Sequence, residues 1–260
     1  MGNVLVIANR KGGCGKSFTT ASLAVGLARQ DKKVLCIDLD NQHSLTVSMG
    51  INEPEKLDIT ITTMISDVVN KKYFDPTAGI IHHPEGVDII PANNSLTCIE
   101  LFLAPLVGRE IVIKKYLDKI KHRYDYCLID TGATLDLLTI NALAAANGVI
   151  IPVPPKYLDA RGLALLLHSI AEIREFINPC LKISGILFTM VEKRANITKK
   201  MIDAIEKAYG ENIRIFKEHI PRSIRAAEAC TTGKSIYSYD SDGTIAKAYD
   251  ALAREVLEDA

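Results

Sequence analysis

The stretch Asn9-Arg10-Lys11-Gly12-Gly13-Cys14-Gly15-Lys16-Ser17 decides the fold prediction for this chain. It directly follows an apolar run at residues 4–8, which is typical of a buried strand, and it opens residues 17–29, whose apolar side chains recur with helical spacing. A glycine-rich turn between a buried strand and a helix is suited to holding an anion. Glycines let backbone N–H groups approach the anion closely, and the N-terminus of the helix adds a partial positive charge.

Apolar runs and helical patterns alternate outward from this turn to the end of the chain. Further strands are predicted at residues 33–39, 87–91, 126–130, 149–153 and 182–189. Further helices are predicted at residues 110–122, 135–147, 158–176, 198–209, 224–230 and 244–257. Continuous apolar strands separated by helices indicate a doubly wound α/β fold, with a mostly parallel, twisted sheet flanked by helices. We expect residues 1–260 to form a single domain whose functional groups lie at the carboxyl ends of the strands.

Composition excludes several other classes of protein. Hydrophobic residues make up 48% of the 260 residues, which is enough for a sizeable core. The 31 Lys and Arg residues balance 31 Asp and Glu residues, so the chain is not a uniformly basic nucleic-acid binder. The six cysteines are too far apart to form a local zinc or redox pair. We expect a cytoplasmic protein, because no signal peptide is evident and the longest apolar run, residues 142–153, is shorter than the roughly 20 residues that span a bilayer.

The chemistry of the turn is that of a phosphate-binding loop. The usual pattern begins with glycine, and Arg10 takes that place here. Lys16 can reach the β and γ phosphates of a nucleotide, and the Ser17 hydroxyl can bind Mg²⁺. The alternative is a glycine turn with two solvated lysines. On the first interpretation, the nucleotide-contacting residues include Gly12, Gly13, Cys14, Gly15, Lys16, Ser17 and Phe18.

The order Lys-Gly-Gly-Cys-Gly-Lys-Ser at residues 11–17 resembles the deviant Walker A motif of the ParA/MinD ATPases. The chain is most similar to the short, Soj-like ParA partitioning proteins, because no helix-turn-helix extension precedes the loop. The resemblance implies ATP and Mg²⁺ as cofactors. It also implies a homodimer that forms on ATP binding, in which Lys11 reaches the nucleotide of the partner subunit. Lys11 and Lys16 are therefore candidate catalytic residues.

Two other segments resemble the metal-binding parts of this family. Residues 37–42 resemble the first switch, and in the family the second aspartate, here Asp40, helps to position the attacking water. We also place Asp40 at the metal, whereas Asp38 is either a Mg²⁺-shell carboxylate, a structural one or a polar strand end. Residues 126–130 resemble the Walker B strand, so Asp130 would hold Mg²⁺ through water, together with Ser17.

The resemblance extends over nearly the whole chain and includes residues 137–143, 185–191 and 220–225. It implies that Pro221 and Arg222 lie near the adenine. Two switch segments depart from the family: residues 40–43 read Asp-Asn-Gln-His in place of Asp-Pro-Gln-Gly, and residues 131–134 read Thr-Gly-Ala-Thr in place of Cys-Pro-Pro-Ser. Loss of proline loosens a loop, so the resemblance leaves the switch geometry, the hydrolysis rate and the nucleotide coupling of this chain open.

Charge is unevenly distributed near the end of the chain. Residues 182–234 contain eleven Lys and Arg residues against six Asp and Glu residues. The resemblance implies that Arg194 and Arg225 bind DNA without sequence preference, and the alternative is a solvated basic face. It further implies a ParB-like partner that stimulates hydrolysis, a nucleoid-associated location, and a plasmid, a chromosome origin or another cargo that is segregated or positioned.

Two alternative functions use the same phosphate loop. A MinD-like ATPase would position cargo or the division machinery on a membrane or a protein platform. A basic amphipathic tail would be needed for the membrane, but residues 246–260 end in acidic residues, so we expect a helix docked on the core and no membrane binding. A nitrogenase-like iron protein would bridge an iron–sulfur cluster, for which Cys98 and Cys127 are the mid-chain candidates. Cys127 lies inside the predicted Walker B strand, which favours a buried structural thiol.

Overall fold

The computed structural model describes residues 2–192 and 194–258, and for residues 157–161 it describes the backbone alone. Within these residues, seven strands form one sheet. They are β1 (Asn3–Ile7), β2 (Val34–Leu39), β3 (Ile81–His83), β4 (Val87–Ile90), β5 (Tyr126–Thr131), β6 (Gly148–Val153) and β7 (Lys182–Phe188).

The strand order is β3-β4-β2-β5-β1-β6-β7. Every pairing is parallel except that of β3 with β4. The predicted mostly parallel sheet is thus confirmed. The antiparallel edge strand β3 was not predicted, because Ile81, His82 and His83 form too short and too polar a run to show the apolar pattern of a buried strand.

Eleven α-helices lie within the described residues. They are α1 (Lys16–Ala28), α2 (Ser44–Ser48), α3 (Ile61–Val69), α4 (Ile99–Leu103), α5 (Val112–Ile120), α6 (Leu137–Ala145), α7 (Tyr157–Phe176), α8 (Asn196–Tyr209), α9 (Ile224–Thr232), α10 (Ile236–Tyr239) and α11 (Thr244–Glu258). The predicted helix at 110–122 is shorter in the structure, because 3₁₀ turns at Arg109–Ile111 and Lys121–Arg123 flank α5. The other predicted helices are present with their ends shifted by a few residues.

Helix α3 is the longest of the helices that the sequence did not predict. Its composition is rich in threonine and β-branched residues, which have low helix propensity. A capping box between Thr60 and Thr63 starts the helix, and the side chains of Ile61, Met64 and Ile65 are buried against the sheet. Tertiary packing therefore outweighs local propensity in this segment.

Side chains alternate along the central strands between two apolar layers. On β5, Ile129 packs in the layer that contains α3, α5, α6 and α7, whereas Leu128 packs in the layer that contains α1 and α11. The sheet is thus covered on both faces, as the doubly wound prediction requires. Helix α11 buries Tyr249 and Leu252 in the second layer, so the predicted docking of the tail as a helix is confirmed up to Glu258. The last two residues lie outside the described part of the chain.

None of the helices that the structure describes combines the length and the apolar content needed to cross a membrane.

Candidate active site

Three neighbouring strands, β2, β5 and β1, end together at one edge of the sheet. In the strand register, Asp130 on β5 lies opposite Ile7 on β1 and opposite Asp38 on β2. The glycine loop follows β1 directly and leads into α1, so it lies beside both aspartates. The arrangement places an anion-binding loop and a pair of carboxylates at the carboxyl edge of a parallel sheet, as predicted.

A cleft of about 530 Å³ opens at this edge. It is lined by the phosphate loop, by the two predicted switch segments and by a few residues outside them, including Met190 just after β7. The lining residues are Gly12, Gly13, Gly15, Lys16, Ser17, Phe18, Asp40, Asn41, Gln42, Ser44, Gly132, Ala133, Thr134, Asp136 and Met190. The phosphate loop and both predicted switch segments therefore face the same space.

The backbone of the loop has the geometry that glycine permits. Gly13 has φ 68° and Gly15 has φ 88°, both in the left-handed region that other residues rarely adopt. Lys16 is buried at the start of α1, and its Nζ donates to the Lys11 carbonyl at 3.2 Å. The loop thus wraps around the lysine that was predicted to reach the phosphates.

Cys14 contributes its backbone to the loop and not its thiol. Its side chain is fully buried, and burial raises the pKa of the thiol above its ordinary value, which keeps it unreactive. The Cys14 carbonyl accepts a hydrogen bond of 2.8 Å from the Thr189 hydroxyl at the end of β7. Cys14 lies behind the residues that line the cleft, so its side chain is not a direct nucleotide contact there.

Asp130 is fully buried and incompletely hydrogen-bonded. Its Oδ1 accepts from the Thr20 hydroxyl at 3.3 Å, and a hydrogen bond from the Ser17 side chain lowers its pKa. Its Oδ2 finds no hydrogen-bond partner among the described residues. Burial, reinforced by the nearby charge of Asp38, raises the pKa of this carboxyl well above its ordinary value. A buried carboxylate oxygen without a partner is a position prepared for a cation.

Asp38 is equally buried, but its carboxylate is fully engaged within the protein. Oδ2 accepts from the Thr46 backbone N–H at 2.8 Å and from the Thr46 hydroxyl at 2.7 Å, while Oδ1 accepts from the Asp40 N–H at 3.0 Å. Burial raises its pKa to about 6. Of the interpretations left open by the sequence, these bonds favour a structural carboxylate that holds α2 against the end of β2.

Asp40 is one of two carboxylates that line the cleft, together with Asp136. It is partly buried, and its Oδ1 accepts from the Gln42 N–H at 3.0 Å. A Cβ atom on Gly132 would lie 3.4 Å from the same oxygen, so the two switch segments approach each other closely here. The Asp40 carboxylate therefore lies in the cleft, where it can contact both a metal-bound phosphate and a water molecule.

The donors around Asp130 fit Mg²⁺. The Asp130 and Asp40 carboxylates and the Ser17 hydroxyl supply hard oxygen ligands, and one of the buried oxygens is without a partner. Among the side chains that the structure describes, no cluster of three or more His, Cys, Asp or Glu residues forms a cage for a metal. Mg²⁺ keeps several waters and binds one or two carboxylates together with substrate phosphates, so two carboxylates and a hydroxyl fit it.

Five of the predicted nucleotide- and metal-site residues are not among those that line this cleft, namely Lys11, Cys14, Asp130, Pro221 and Arg222. The Lys11 side chain is not among the described residues that face the space. Pro221 pairs with Val191 in a short parallel bridge, and Arg222 forms an exposed ion pair of 2.5 Å with Glu192. The segment that carries Pro221 and Arg222 thus runs beside Met190 without entering the cleft.

The candidate DNA-binding arginines lie on segments that this bridge brings together. Arg194 is exposed and lies three residues after Val191, whereas Arg225 lies four residues after Pro221. The Arg225 side chain is 62% exposed and pairs with Asp240 at 3.3 Å. Both arginines are thus exposed, on segments that follow Met190 or pair with its neighbour Val191.

The two candidate cysteines for an iron–sulfur cluster are in different environments. Cys98 is exposed, whereas Cys127 is fully buried within β5, and burial raises the pKa of its thiol to about 12. A thiol enclosed in the sheet is a structural side chain, as the sequence favoured.

Two further residues at the cleft were not predicted. Asp136 caps α6, because its Oδ1 accepts from the Thr139 N–H at 2.9 Å, and an aspartate directly before a helical pattern is a recognisable signal. Met190 has φ 52°, which is unusual for a residue with a side chain. It lies in residues 185–191, which resemble the family, and just after the carboxyl end of a parallel strand, but neither signal assigned it to the site.

The fold and this site define a P-loop nucleoside triphosphatase with a second, early lysine in its phosphate loop. Comparison with known proteins agrees, because residues 2–183 match the family described as "AAA domain". The sporulation initiation inhibitor protein Soj of Bacillus subtilis is 35% identical over 256 residues, which cover 98% of each chain. The chromosome partitioning protein ParA of Myxococcus xanthus is 34% identical over 260 residues, covering 99% of this chain and 89% of that protein.

A solved structure shares the fold of this chain. The structure of cobyrinic acid a,c-diamide synthase from Mycobacterium smegmatis with bound ADP and magnesium matches with a TM-score of 0.86 and 31% identity, over 99% of this chain and 95% of that one. The chain belongs to the ParA/Soj family of P-loop partitioning ATPases. The predicted family, fold class and ATPase activity are thereby confirmed.

Proposed function

We propose that this partitioning ATPase binds ATP and Mg²⁺, dimerises, and in that state binds DNA without sequence preference. The observation that carries the proposal is the pairing of Val191 with Pro221, which places the segments of Arg194 and Arg225 side by side next to the cleft. A ParB-like partner on the cargo would then stimulate hydrolysis and release the dimer from the nucleoid.

The residues that would hold the nucleotide are those of the loop. Gly12, Gly13, Gly15, Lys16 and Ser17 line the cleft at the N-terminus of α1, so their backbone N–H groups would bind the phosphates, with Lys16 adding its positive charge. Mg²⁺ would lie among Ser17, Asp130 and Asp40, where it neutralises the charge that develops on the phosphates. Asp40 would orient the attacking water, as the family motif implies, because it lines the cleft, whereas Asp136, the other carboxylate there, caps α6.

The proposed dimer rests on the family motif, in which the early lysine reaches the nucleotide of the facing subunit. Lys11 occupies that place in this chain, and its carbonyl accepts a hydrogen bond from Lys16 within the loop. Lys11 would accordingly reach the nucleotide of the partner subunit. Two nucleotides would then be enclosed between two copies of the chain.

Dimerisation would also double the candidate DNA surface. Arg194 and Arg225 are exposed, and phosphate contacts need a placed cation rather than base recognition. On binding DNA, Arg225 would break its ion pair with Asp240 and form one with a DNA phosphate. Weak contacts made by two linked copies together give a much higher apparent affinity for DNA than one copy alone. The nucleotide state, which would control dimerisation, would therefore control DNA binding.

The membrane alternative receives less support from the structure. The apolar residues of α11, including Tyr249 and Leu252, are buried against α1 and are not displayed to a lipid surface. We therefore propose a cytoplasmic, nucleoid-associated protein. The cargo would be a plasmid, a chromosome origin or another cellular assembly.

Binding to a long DNA fragment of arbitrary sequence tests this proposal. It should be measured without nucleotide, with ADP–Mg²⁺ and with ATP–Mg²⁺, at low and moderate salt. We expect binding with ATP alone, weakening as salt rises, and its loss in the double variant Arg194→Ala/Arg225→Ala. The double variant Arg123→Ala/Arg174→Ala is the matched control, because it removes two exposed arginines from outside residues 182–234.

Either of two results would contradict the DNA-binding part of the proposal. One is the absence of binding in every nucleotide state while ATP hydrolysis proceeds normally. The other is equal loss of binding in the two double variants, which would indicate a general effect of charge. A parallel measurement with anionic lipid vesicles would then test the MinD-like alternative directly.

A further inference from the structure

The end of β7 connects the phosphate loop to the candidate DNA-binding segment through three consecutive residues. Thr189 is 2% exposed, and its hydroxyl donates to the Cys14 carbonyl at 2.8 Å. Two residues later, the Val191 N–H donates to the Ile220 carbonyl at 3.0 Å, and the Arg222 N–H donates to the Val191 carbonyl at 3.2 Å. One short stretch of backbone is thus hydrogen-bonded to both functional regions.

The bond to Cys14 fixes more than one atom of the loop. A peptide unit is planar and trans, so the Cys14 C=O and the Gly15 N–H point in opposite directions. By holding the carbonyl on the buried side, Thr189 orients the Gly15 N–H away from itself. Gly15 lines the cleft, so the hydroxyl of Thr189 determines the direction of a backbone donor in the phosphate site.

Met190 lies between the two anchored residues. Its side chain lines the cleft, and its Cε would be 3.8 Å from a Cβ on Gly15. Its backbone is in the left-handed region at φ 52°. Because Thr189 is hydrogen-bonded to the loop and Val191 to residues 220–222, a shift of the loop is passed to the segment that leads into α9 and Arg225.

We propose that Thr189 is a positioning residue that orients the phosphate loop and couples nucleotide binding to the placement of residues 220–225. The proposal deepens the proposed function, on which the biological use of the coupling rests. The coupling itself can be measured without DNA, since it predicts a response of the Val191 and Arg222 amides to nucleotide.

Hydrogen exchange of these two amides, together with ATPase kinetics, tests the coupling. In the unmodified protein, ATP–Mg²⁺ should slow the exchange of peptides that cover 189–192 and 220–225, relative to the nucleotide-free protein. Thr189→Val keeps the shape of the side chain but removes the donor. It should abolish this difference and raise KM for ATP about two- to twelvefold, the range expected for one lost hydrogen bond, with a smaller effect on kcat.

Two further variants separate positioning from a general loss of stability. Thr189→Ser keeps a hydroxyl and should restore both the exchange response and KM. Ser169→Ala is the matched control, because it removes a buried hydroxyl that donates to the Leu165 carbonyl at 3.2 Å within α7, and it should behave like the unmodified protein. Should Thr189→Val fail to fold, Thr189→Ala removes the same donor with a smaller side chain.

The proposal is overturned if the variant lacking the hydroxyl shows the full exchange response and an unchanged KM. It is equally overturned if the unmodified protein hydrolyses ATP without any exchange response at these amides. Failure of the unmodified protein to bind DNA would instead contradict the proposed function, while the exchange measurement would still decide the role of Thr189.

Discussion

Asp38 and Asp130 lie opposite each other on β2 and β5, and both carboxyl groups are fully buried, yet only Asp38 is fully hydrogen-bonded. Asp38 accepts three hydrogen bonds, from the N–H and hydroxyl of Thr46 and from the N–H of Asp40. Asp130 has one oxygen with no hydrogen-bond partner among the described residues. Hydrogen bonds within the protein therefore satisfy the Asp38 carboxylate, whereas one oxygen of Asp130 is available to a cation. Substitution by asparagine should change the stability of the protein in opposite directions at the two positions.

Asp130→Asn should stabilise the nucleotide-free protein and abolish Mg²⁺-dependent hydrolysis. The substitution removes a buried, incompletely paired charge, whose desolvation costs about 1–3 kcal/mol or more. Each kcal/mol raises Tm by roughly 2–4 °C in a protein of this size. Thermal unfolding without nucleotide, together with a phosphate-release assay, checks both parts.

Asp38→Asn is the matched control for that experiment. An amide has one oxygen where the carboxylate has two, and its NH₂ group would face donors of Thr46 or Asp40. We expect a lower Tm for this variant, because buried donors lose their acceptor. A rise in Tm for both variants would show that the contrast between the two carboxylates is wrong.

The same pair predicts a dependence of stability on pH. Burial raises the pKa of Asp38 from 3.8 to about 6 and that of Asp130 in the same direction, so the folded state holds protons that the unfolded state releases. Stability from these groups is fully present below about pH 4 and is lost as pH rises through the folded pKa values. Between pH 4 and 6, the free energy of unfolding of the nucleotide-free protein should therefore fall more steeply than that of Asp130→Asn.

Urea unfolding at several pH values over that range measures the difference. Taking the difference between the two proteins cancels the titration of groups that they share. Parallel curves for the unmodified protein and Asp130→Asn would contradict the assignment of the pH dependence to the pair.

Asp40→Ala should retain ATP binding but lose hydrolysis. The Asp40 carboxylate lines the cleft beside Gly132, where it can orient water, but it is not part of the loop that binds phosphate. Direct titration with a fluorescent ATP analogue and a turnover assay separate the two properties. Lys16→Ala is the contrasting variant and should lose binding itself, so normal turnover in Asp40→Ala or normal binding in Lys16→Ala would contradict these roles.

Much of this site could be predicted because it depends on local backbone geometry. The glycine spacing of residues 12–17, between a strand and a helix, indicates a phosphate-binding loop. Asp130 is indicated as a metal-site residue because it ends an apolar strand. Such signals require no knowledge of distant contacts, and the assignment of the family and the parallel sheet followed from them.

The parts that could not be predicted depend on contacts between distant residues. Thr189 and Cys14 are 175 positions apart, and nothing in either local sequence indicates their hydrogen bond. The complete hydrogen-bonding of Asp38 depends on Thr46, whose helix α2 is only five residues long and shows no periodicity. The pairing of Pro221 with Val191 likewise joins residues 30 positions apart, and neither local sequence indicates it.

The last prediction concerns the docking of α11 on α1. A Cβ on Gly26 would lie 2.7 Å from the Tyr237 hydroxyl and 3.2 Å from the Cβ of Ala253, so Gly26→Ala should push α11 away. Overpacking of this kind costs about 1–3 kcal/mol. Gly162→Ala in α7 is the matched control, because its added Cβ would meet no atom within 4 Å and should stabilise by about 0.5–1 kcal/mol through helix propensity. Urea unfolding should thus move the two midpoints in opposite directions, whereas a Gly26→Ala midpoint at or above that of the unmodified protein would show that α11 is not held closely against α1.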